Sequence, residues 1–326
     1  MRPVGTRRAV LLAAVVALVL WAGTARPGAQ GQVETLRVQG QVHLLAGAGG
    51  NVTALVGPQG VLLVDAGSQG ATEPLLAALR TITPLPIHFL INTSADPDHV
   101  GGNAAISQAG RPMPGWNGAG VSGAPVFAHE NVQRRMSAPG PGDPGFEAPF
   151  WPTSTFFTGK HTLHFNDEPI ELLWQQAAHS DADLMIFFRR SDVISAGDIV
   201  NMESFPVIDL ARGGSIQGEL DALNRIIDIA IPRMNQMDGT RIIPGHGRLC
   251  NEADVVEYRD MVTVIRDRVQ TLLAQGKTLE EVQASRPAYE YEPVYGAEQG
   301  AWTTRMFVEA VYRSLEGEDA RSRAAR

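Results

Sequence analysis

A single cysteine, Cys250, stands in 326 residues. No intrachain disulfide is possible, so packing must supply the stability of the fold. Clustered positive charge is also scarce. Arg189-Arg190 and the C-terminal tail are the basic runs, and the formal net charge is −8. Phosphate neutralisation needs clustered Lys and Arg, which argues against nucleic acid as the main partner. Apolar runs of membrane-spanning length, ~20 residues, are missing too. The longest, Ala9 to Ala22, follows Arg2, Arg7 and Arg8 and precedes small residues, as in a secretory signal peptide cleaved after Ala25 or Ala29. Residues 1–30 are set aside on that ground. The mature protein is expected to be periplasmic or secreted, with no stable membrane association after cleavage. No internal repeat of solenoid length is visible.

What is there is ordinary globular composition, 44% hydrophobic and 19% charged, with length for one large domain or two small ones. Val33 to Leu45 alternates as a first strand. Asn51 to Val56 and Gly60 to Asp65 flank a Gly57-Pro58-Gln59-Gly60 turn, a hairpin signal. The run Gly60-Val61-Leu62-Leu63-Val64 is apolar throughout, which predicts a strand buried on both faces. Ala71 to Thr81 has helical spacing. Ile87 to Ile91 is another buried strand, and residues 103–109 suit a short helix. Residues 110–160 are rich in Gly, Pro and aromatics, including Trp116, Phe150 and Trp151, and read as a long loop able to wall a pocket or pack against the body. A second series of strands follows at Thr162 to Phe165, Ile170 to Trp174, Leu184 to Phe188 and Val193 to Ala196. Ile216 to Ile231 is an amphipathic helix, Arg241 to Ile243 a short strand, and Glu252 to Ala274, Leu279 to Ala284 and Ala301 to Leu315 are helical. Two strand series, each followed by helix, predict sheets covered by helices in one sandwich over residues 31–326, ending in a helical extension.

Metal-competent side chains gather where these runs end. They are Asp96, Asp98 and His99 in the turn Asn92-Thr93-Ser94-Ala95-Asp96-Pro97-Asp98-His99-Val100-Gly101-Gly102; His179 in Ala178-His179-Ser180-Asp181; Asp198 after Gly197; and His246 in Pro244-Gly245-His246-Gly247. Carboxylate oxygen and imidazole nitrogen are the donors that suit zinc and similar divalent ions. Functional groups on loops at strand ends, held by a rigid scaffold, are a common active-site design. Singly, each signal is ordinary: a His after a strand is more often structural, Gly-Asp is mostly a turn and Gly-His-Gly mostly a bend. Order and spacing together carry the reading. Cys250, four residues after His246, reads as a small buried hydrophobe rather than a ligand or reactive thiol.

Taken with Val64-Asp65-Ala66-Gly67, this series resembles the metallo-β-lactamase-fold hydrolases from about residue 33 to about residue 275. The resemblance implies an α/β fold, an αβ/βα sandwich of two mixed β-sheets flanked by helices. In that family the turn normally reads His-x-His-x-Asp-His. Carried over, Asp98, His99 and His246 would hold one metal, His179 would serve the other site, Asp198 would bridge them, and Asp65 would orient a ligand. The chain departs at the histidine pair, where Ser94 and Asp96 stand. Ser is a poor zinc ligand. Asp96, His179 and Asp198 form a carboxylate-rich set that favours Mn²⁺, Fe²⁺ or Mg²⁺.

The expectation is therefore one zinc per chain with the second site degraded, Mn or Fe being alternatives. The activity implied is metal-assisted hydrolysis, in which an activated water attacks an ester, lactone, lactam or phosphoester of a small-molecule substrate. Asp98, and Asp96 if its own site holds no metal, are the candidate catalytic carboxylates. The alternatives are a non-catalytic metal- or ligand-binding relative and an iron-dependent oxygen-handling enzyme on the same fold.

Overall fold

Apolar alternation sets the architecture. In the computed structural model, which describes residues 32–115, 122–138, 140, 145–236 and 238–324, the chain from residue 31 onward groups as one unit. It opens with β1 (Glu34–Gln39), β2 (Val42–Ala48), β3 (Gly50–Gly57) and β4 (Gly60–Val64), followed by α1 (Thr72–Ile82) and β5 (Ile87–Ile91). The single helical turn α2 (Pro97–Val100), α3 (Asn103–Ala109), β6 (Val126–His129), α4 (Glu130–Ser137) and β7 (Ser154–Phe156) complete the first half. The second half runs β8 (Lys160–Phe165), β9 (Glu168–Trp174), β10 (Leu184–Phe188), β11 (Val193–Asn201), α5 (Ile216–Ile229), β12 (Arg241–His246) and β13 (Cys250–Asn251). Helices α6 (Glu252–Ala274), α7 (Leu279–Ala284), α8 (Glu292–Tyr295) and α9 (Thr304–Ala324) close the chain. No helix among the described residues is long and apolar enough to cross a membrane.

Seven strands form one sheet in the order β1 to β7, and six form the other in the order β13-β12-β11-β10-β9-β8. Both sheets are mixed. β1 to β4 are antiparallel while β4 to β7 are parallel, and β11 and β12 are a parallel pair in an otherwise antiparallel sheet. The two faces of each strand go to different layers. Leu62 and Val64 of β4 join Ile91, Leu172, Ile186 and Ile243 between the sheets. Val61 and Leu63 of the same strand face α1 and α3, against Leu75, Leu79 and Ile106. On the far side, Met185, Ile194 and Ile242 pack under α5, α6 and α9 through Leu223, Val262 and Phe307. Each fully buried aliphatic side chain contributes roughly 1.5–3 kcal/mol, so three such layers replace the missing disulfides.

The structure amends three sequence expectations. The predicted first strand, 33–45, is a hairpin of β1 and β2 that turns at Gly40, whose φ is +57°. The alternating pattern continues through the turn and conceals it. The long loop at 110–160 contains β6, α4 and β7, because Val126-Phe127-Ala128 is a short buried run that adds a parallel strand beside β5. β11 does not end at Ala196. It continues to Asn201, with an irregularity at Gly197 (φ +54°) that leaves Asp198 inside the strand. Bulges of this kind re-aim a side chain within a sheet. Trp116 and residues 1–30 lie outside the described residues.

Candidate metal centre

The centre lies where the carboxyl ends of two parallel strand pairs meet, β4–β5 of one sheet and β11–β12 of the other, the usual ligand position in α/β sheets. Asp65, just past β4, has a left-handed φ of +66° and is buried. Three donors fix its carboxylate. Thr93 donates its N–H to Oδ1 at 2.7 Å and its hydroxyl to Oδ2 at 2.6 Å, and His99 Nδ1 donates to Oδ2 at 2.8 Å. Because Nδ1 carries that proton, the His99 Nε2 atom faces the centre, 3.0 Å from Asp198 Oδ1. A carboxylate behind a histidine is the support that metal-bound imidazoles usually have.

The turn after β5 spreads its acids apart. Asp96 precedes the helical turn with extended backbone, Pro97 starts that turn, and Asp98 and His99 lie within it. Side chains two positions apart on a helical turn point in different directions. Asp98 faces His246, whose Nε2 is 3.2 Å from Asp98 Oδ2 and 3.5 Å from Asp198 Oδ1. Asp96 faces His179, whose Nε2 is 2.6 Å from Asp96 Oδ2. The turn rests on Asn103, which bonds Asn92 and the Phe150 carbonyl, and on a small apolar cluster of Ala95, Val100, Val132 and Met136 with Phe150 and Trp151 packed against it. These aromatics support the turn.

On the other sheet, Asn51 donates to the carbonyls of Pro244 (3.0 Å) and Gly247 (2.9 Å), clamping the His246 bend. Gly245 is required there, since a Cβ would sit 2.8 Å from Asp198 Oδ1. His179 Nδ1 donates to the Val207 carbonyl at 2.8 Å, so its Nε2 also faces the centre. All six predicted residues thus converge, as two clusters whose donor atoms lie within 4.8 Å of one another: Asp98, His99 and His246, and Asp96, His179 and Asp198.

Electrostatics favour a cation in this space. Burial opposes a charge on His99, yet the Asp198 and Asp65 carboxylates raise its pKa well above the ordinary value. His179 behaves likewise, burial being outweighed by Asp96. His246 is pushed up to about 9 by its bonds to Asp198 and Asp98, against some burial. Burial pushes Asp198 up, but His99 and His246 hold it well below the carboxylate range. The donor set fits a divalent ion: with Nδ1 protonated, the neutral His99 and His179 rings each aim an Nε2 lone pair at a carboxylate, an arrangement that demands either a proton or a metal between them.

Residues 46–246 match the sequence profile of the metallo-beta-lactamase superfamily. The chain belongs to the metallo-β-lactamase superfamily. Its fold is similar to that of a metallo-beta-lactamase from Pontibacter korlensis, at 16% identity and a TM-score of 0.53, over 71% of this chain and 99% of that one. It is also similar to the stereoselective inverting sec-alkylsulfatase Pisa1 from Pseudomonas sp., at 14% identity and a TM-score of 0.59, over 86% of this chain. The chain spans about half the length of that sulfatase, 50%. No curated protein matches it in sequence.

At the two positions where this metallo-β-lactamase relative departs from the family turn, the side chains are engaged by other groups of the protein. Ser94 Oγ donates to Asp198 Oδ2 at 3.2 Å. Asp96 Oδ1 accepts from Arg212 Nη1 at 2.5 Å. Sequence reasoning missed Arg212, together with Thr93 and Asn51. Its one local signal is a lone cation between Asp209 and the pair Gly213-Gly214.

Other polar and aromatic residues find structural places. Cys250 is buried, its thiol pushed up to about 12 by desolvation. Asp181 pairs with Arg134 and Arg135, and Asp183 accepts from Ser180. His129 stacks on Trp174, His161 stacks on Phe156, and His88 bonds the Arg111 carbonyl. Tyr291 and Tyr295 pack into the core under α6 and α9, as a docked tail. A groove of about 920 Å³ bordered by Glu280, Arg286, Glu292 and Val308 shares no residue with the centre.

Proposed function

We propose that the protein is a metal-dependent hydrolase of small molecules, with Asp98, His99, His246 and Asp198 holding one divalent ion, zinc by donor type. The observation that carries this reading is the orientation of His99: Asp65 fixes Nδ1–H, and Nε2 meets Asp198 and the Asp98–His246 pair at one point. An ion bound there supplies Lewis acidity and acidifies a water towards neutral pH.

The chain's own groups set the rest. In the metal-free protein His246 and the charge on His99 outweigh burial and lower the Asp98 pKa, and an ion in place of their protons would likewise keep the carboxylate ionised. About a third of its side chain (34%) is exposed, against 11% for Asp198. Asp98 is thus the carboxylate within reach of solvent, and it orients the attacking water and accepts its proton. Asp198 is the shared acid, facing His99 and His246 through one oxygen and Ser94 through the other. The substrate class is an ester, lactone, lactam, phosphoester or sulfate ester. Lactam and sulfate ester are the bonds suggested by the names of the β-lactamase and the alkylsulfatase with similar folds.

The test is metal analysis of the purified protein beside a chromogenic panel of these substrates, with and without chelator. Zinc near one per chain with chelator-sensitive turnover is expected. Metal without turnover on any class would leave a binding protein, and no metal would overturn the reading. Arg2, Arg7 and Arg8 ahead of the Ala9–Ala22 run support export to the periplasm or beyond, which N-terminal sequencing of the protein from cell fractions checks.

A further inference from the structure

Both oxygens of Asp96 are engaged. Oδ1 takes the Arg212 guanidinium at 2.5 Å and Oδ2 faces His179 Nε2 at 2.6 Å. The third oxygen on this side of the centre, Asp198 Oδ2, accepts the Ser94 hydroxyl at 3.2 Å. Every carboxylate oxygen that Asp96 and Asp198 offer to this half therefore has a partner from the chain itself.

Arg212 is seated firmly. It ends the short 3₁₀ turn Leu210–Arg212, and its N–H bonds Asp209 Oδ1 at 3.0 Å. Its Nε lies 3.5 Å from Asp209 Oδ2. Its carbonyl accepts from the Asp181 N–H at 2.9 Å and from Arg135 Nη2 at 3.0 Å. The Asp209 N–H in turn bonds the His179 carbonyl at 2.8 Å, so the loops bearing the arginine and the histidine are tied together. A guanidinium stays protonated at any pH the protein meets. It matches a carboxylate in shape and charge, and it repels a second cation placed on the same oxygens.

We propose that Arg212 is the resident cation of the Asp96–His179 half of the centre, and that it keeps a second divalent ion out. Asp96 then serves as the partner of a fixed organic cation rather than as a metal ligand. The one-ion count becomes a consequence of Arg212, not only of a lost histidine pair. This inference rests on the reading of Asp98, His99, His246 and Asp198 as the occupied half.

The experiment is zinc titration of the full chain, by calorimetry and by metal content after gel filtration. Wild type is compared with Arg212→Gln, which removes the charge, and Arg212→Lys, which keeps it. Wild type and Arg212→Lys should each bind one ion. Arg212→Gln should bind two, the second at least ten-fold tighter than any second ion on wild type. Two ions on wild type, or one ion on a folded Arg212→Gln protein, overturns the role of Arg212. Zero ions on wild type overturns both this role and the metal-dependent reading, whereas one ion on every variant leaves that reading standing. Should Arg212→Gln not fold, electron paramagnetic resonance of Mn²⁺-loaded wild type decides. Isolated ions uphold the proposal, and an exchange-coupled pair sinks it.

Discussion

The two halves of the centre are built from similar residue types yet solve the problem of buried negative charge differently. On one side, Asp98, His99 and His246 meet at a point open to solvent through Asp98, backed by the fixed carboxylate of Asp65. On the other, Asp96 and His179 meet beneath an arginine from a distant loop. In the second half a guanidinium meets the carboxylate, whereas in the first the carboxylates meet histidines, whose protons an ion can replace. A similar list of ligand types can therefore describe a metal site or an internal ion pair, and the neighbours of the carboxylate decide which.

The strongest way to break this contrast is to truncate one histidine from each half. His246→Ala should lose zinc by more than the ~10–100-fold typical of removing a supporting partner, while His179→Ala keeps one zinc. Equilibrium dialysis against a competing chelator measures both, and equal losses would erase the distinction. Asp65→Asn is next. Asn tolerates the left-handed backbone of this position, so folding should survive while zinc weakens ~10–100-fold as His99 loses its charged support. Unchanged zinc affinity in that variant would remove Asp65 from the account.

Asp96→Ala should act on the fold more than on the metal. It leaves Arg212 and His179 without their shared carboxylate, at a cost of about 1–3 kcal/mol, read by urea denaturation with zinc still bound. Zinc loss in this variant would place Asp96 among the ligands instead.

The pH dependence separates the states of the same half. In chelated protein His246 is raised from 6.5 to about 9. A raised histidine stabilises the fold fully below its unfolded pKa, and that contribution fades as pH climbs through the folded value. Tm of the metal-free protein should therefore fall between pH 7 and pH 10, while zinc, which replaces the proton on His246, flattens the decline. A chelated protein whose Tm rises over this range would contradict the ion pairs to Asp98 and Asp198. The smallest effect is expected from Asn51→Ala, which frees the Pro244 and Gly247 carbonyls at about 1 kcal/mol and loosens the His246 bend, measured as a shift in the denaturation midpoint.

Much of this is legible in the sequence. Apolar runs ending in an acid or a histidine located Asp65, the 92–102 turn, His179, Asp198 and His246, because buried strands and the groups at their ends leave a local pattern. The hairpin at Gly40 was hidden, since alternation runs through a two-residue turn unbroken. Arg212 was hidden for another reason. It meets Asp96 across 116 residues of chain, from a loop without periodicity, and a lone arginine looks like surface. A contact that depends on long-range topology writes nothing into local spacing.

The centre also bears on how a chain with one cysteine holds together. Asp98 and His99 hang from one sheet, and Asp198 and His246 from the other. An ion gripping all four would rivet the two halves of the sandwich, much as a disulfide would, but reversibly. At free zinc a thousand times its dissociation constant, such a rivet adds about 4 kcal/mol to unfolding. Metal supply would then govern the lifetime of the protein as well as its chemistry, with proteases removing the molecules that fail to load.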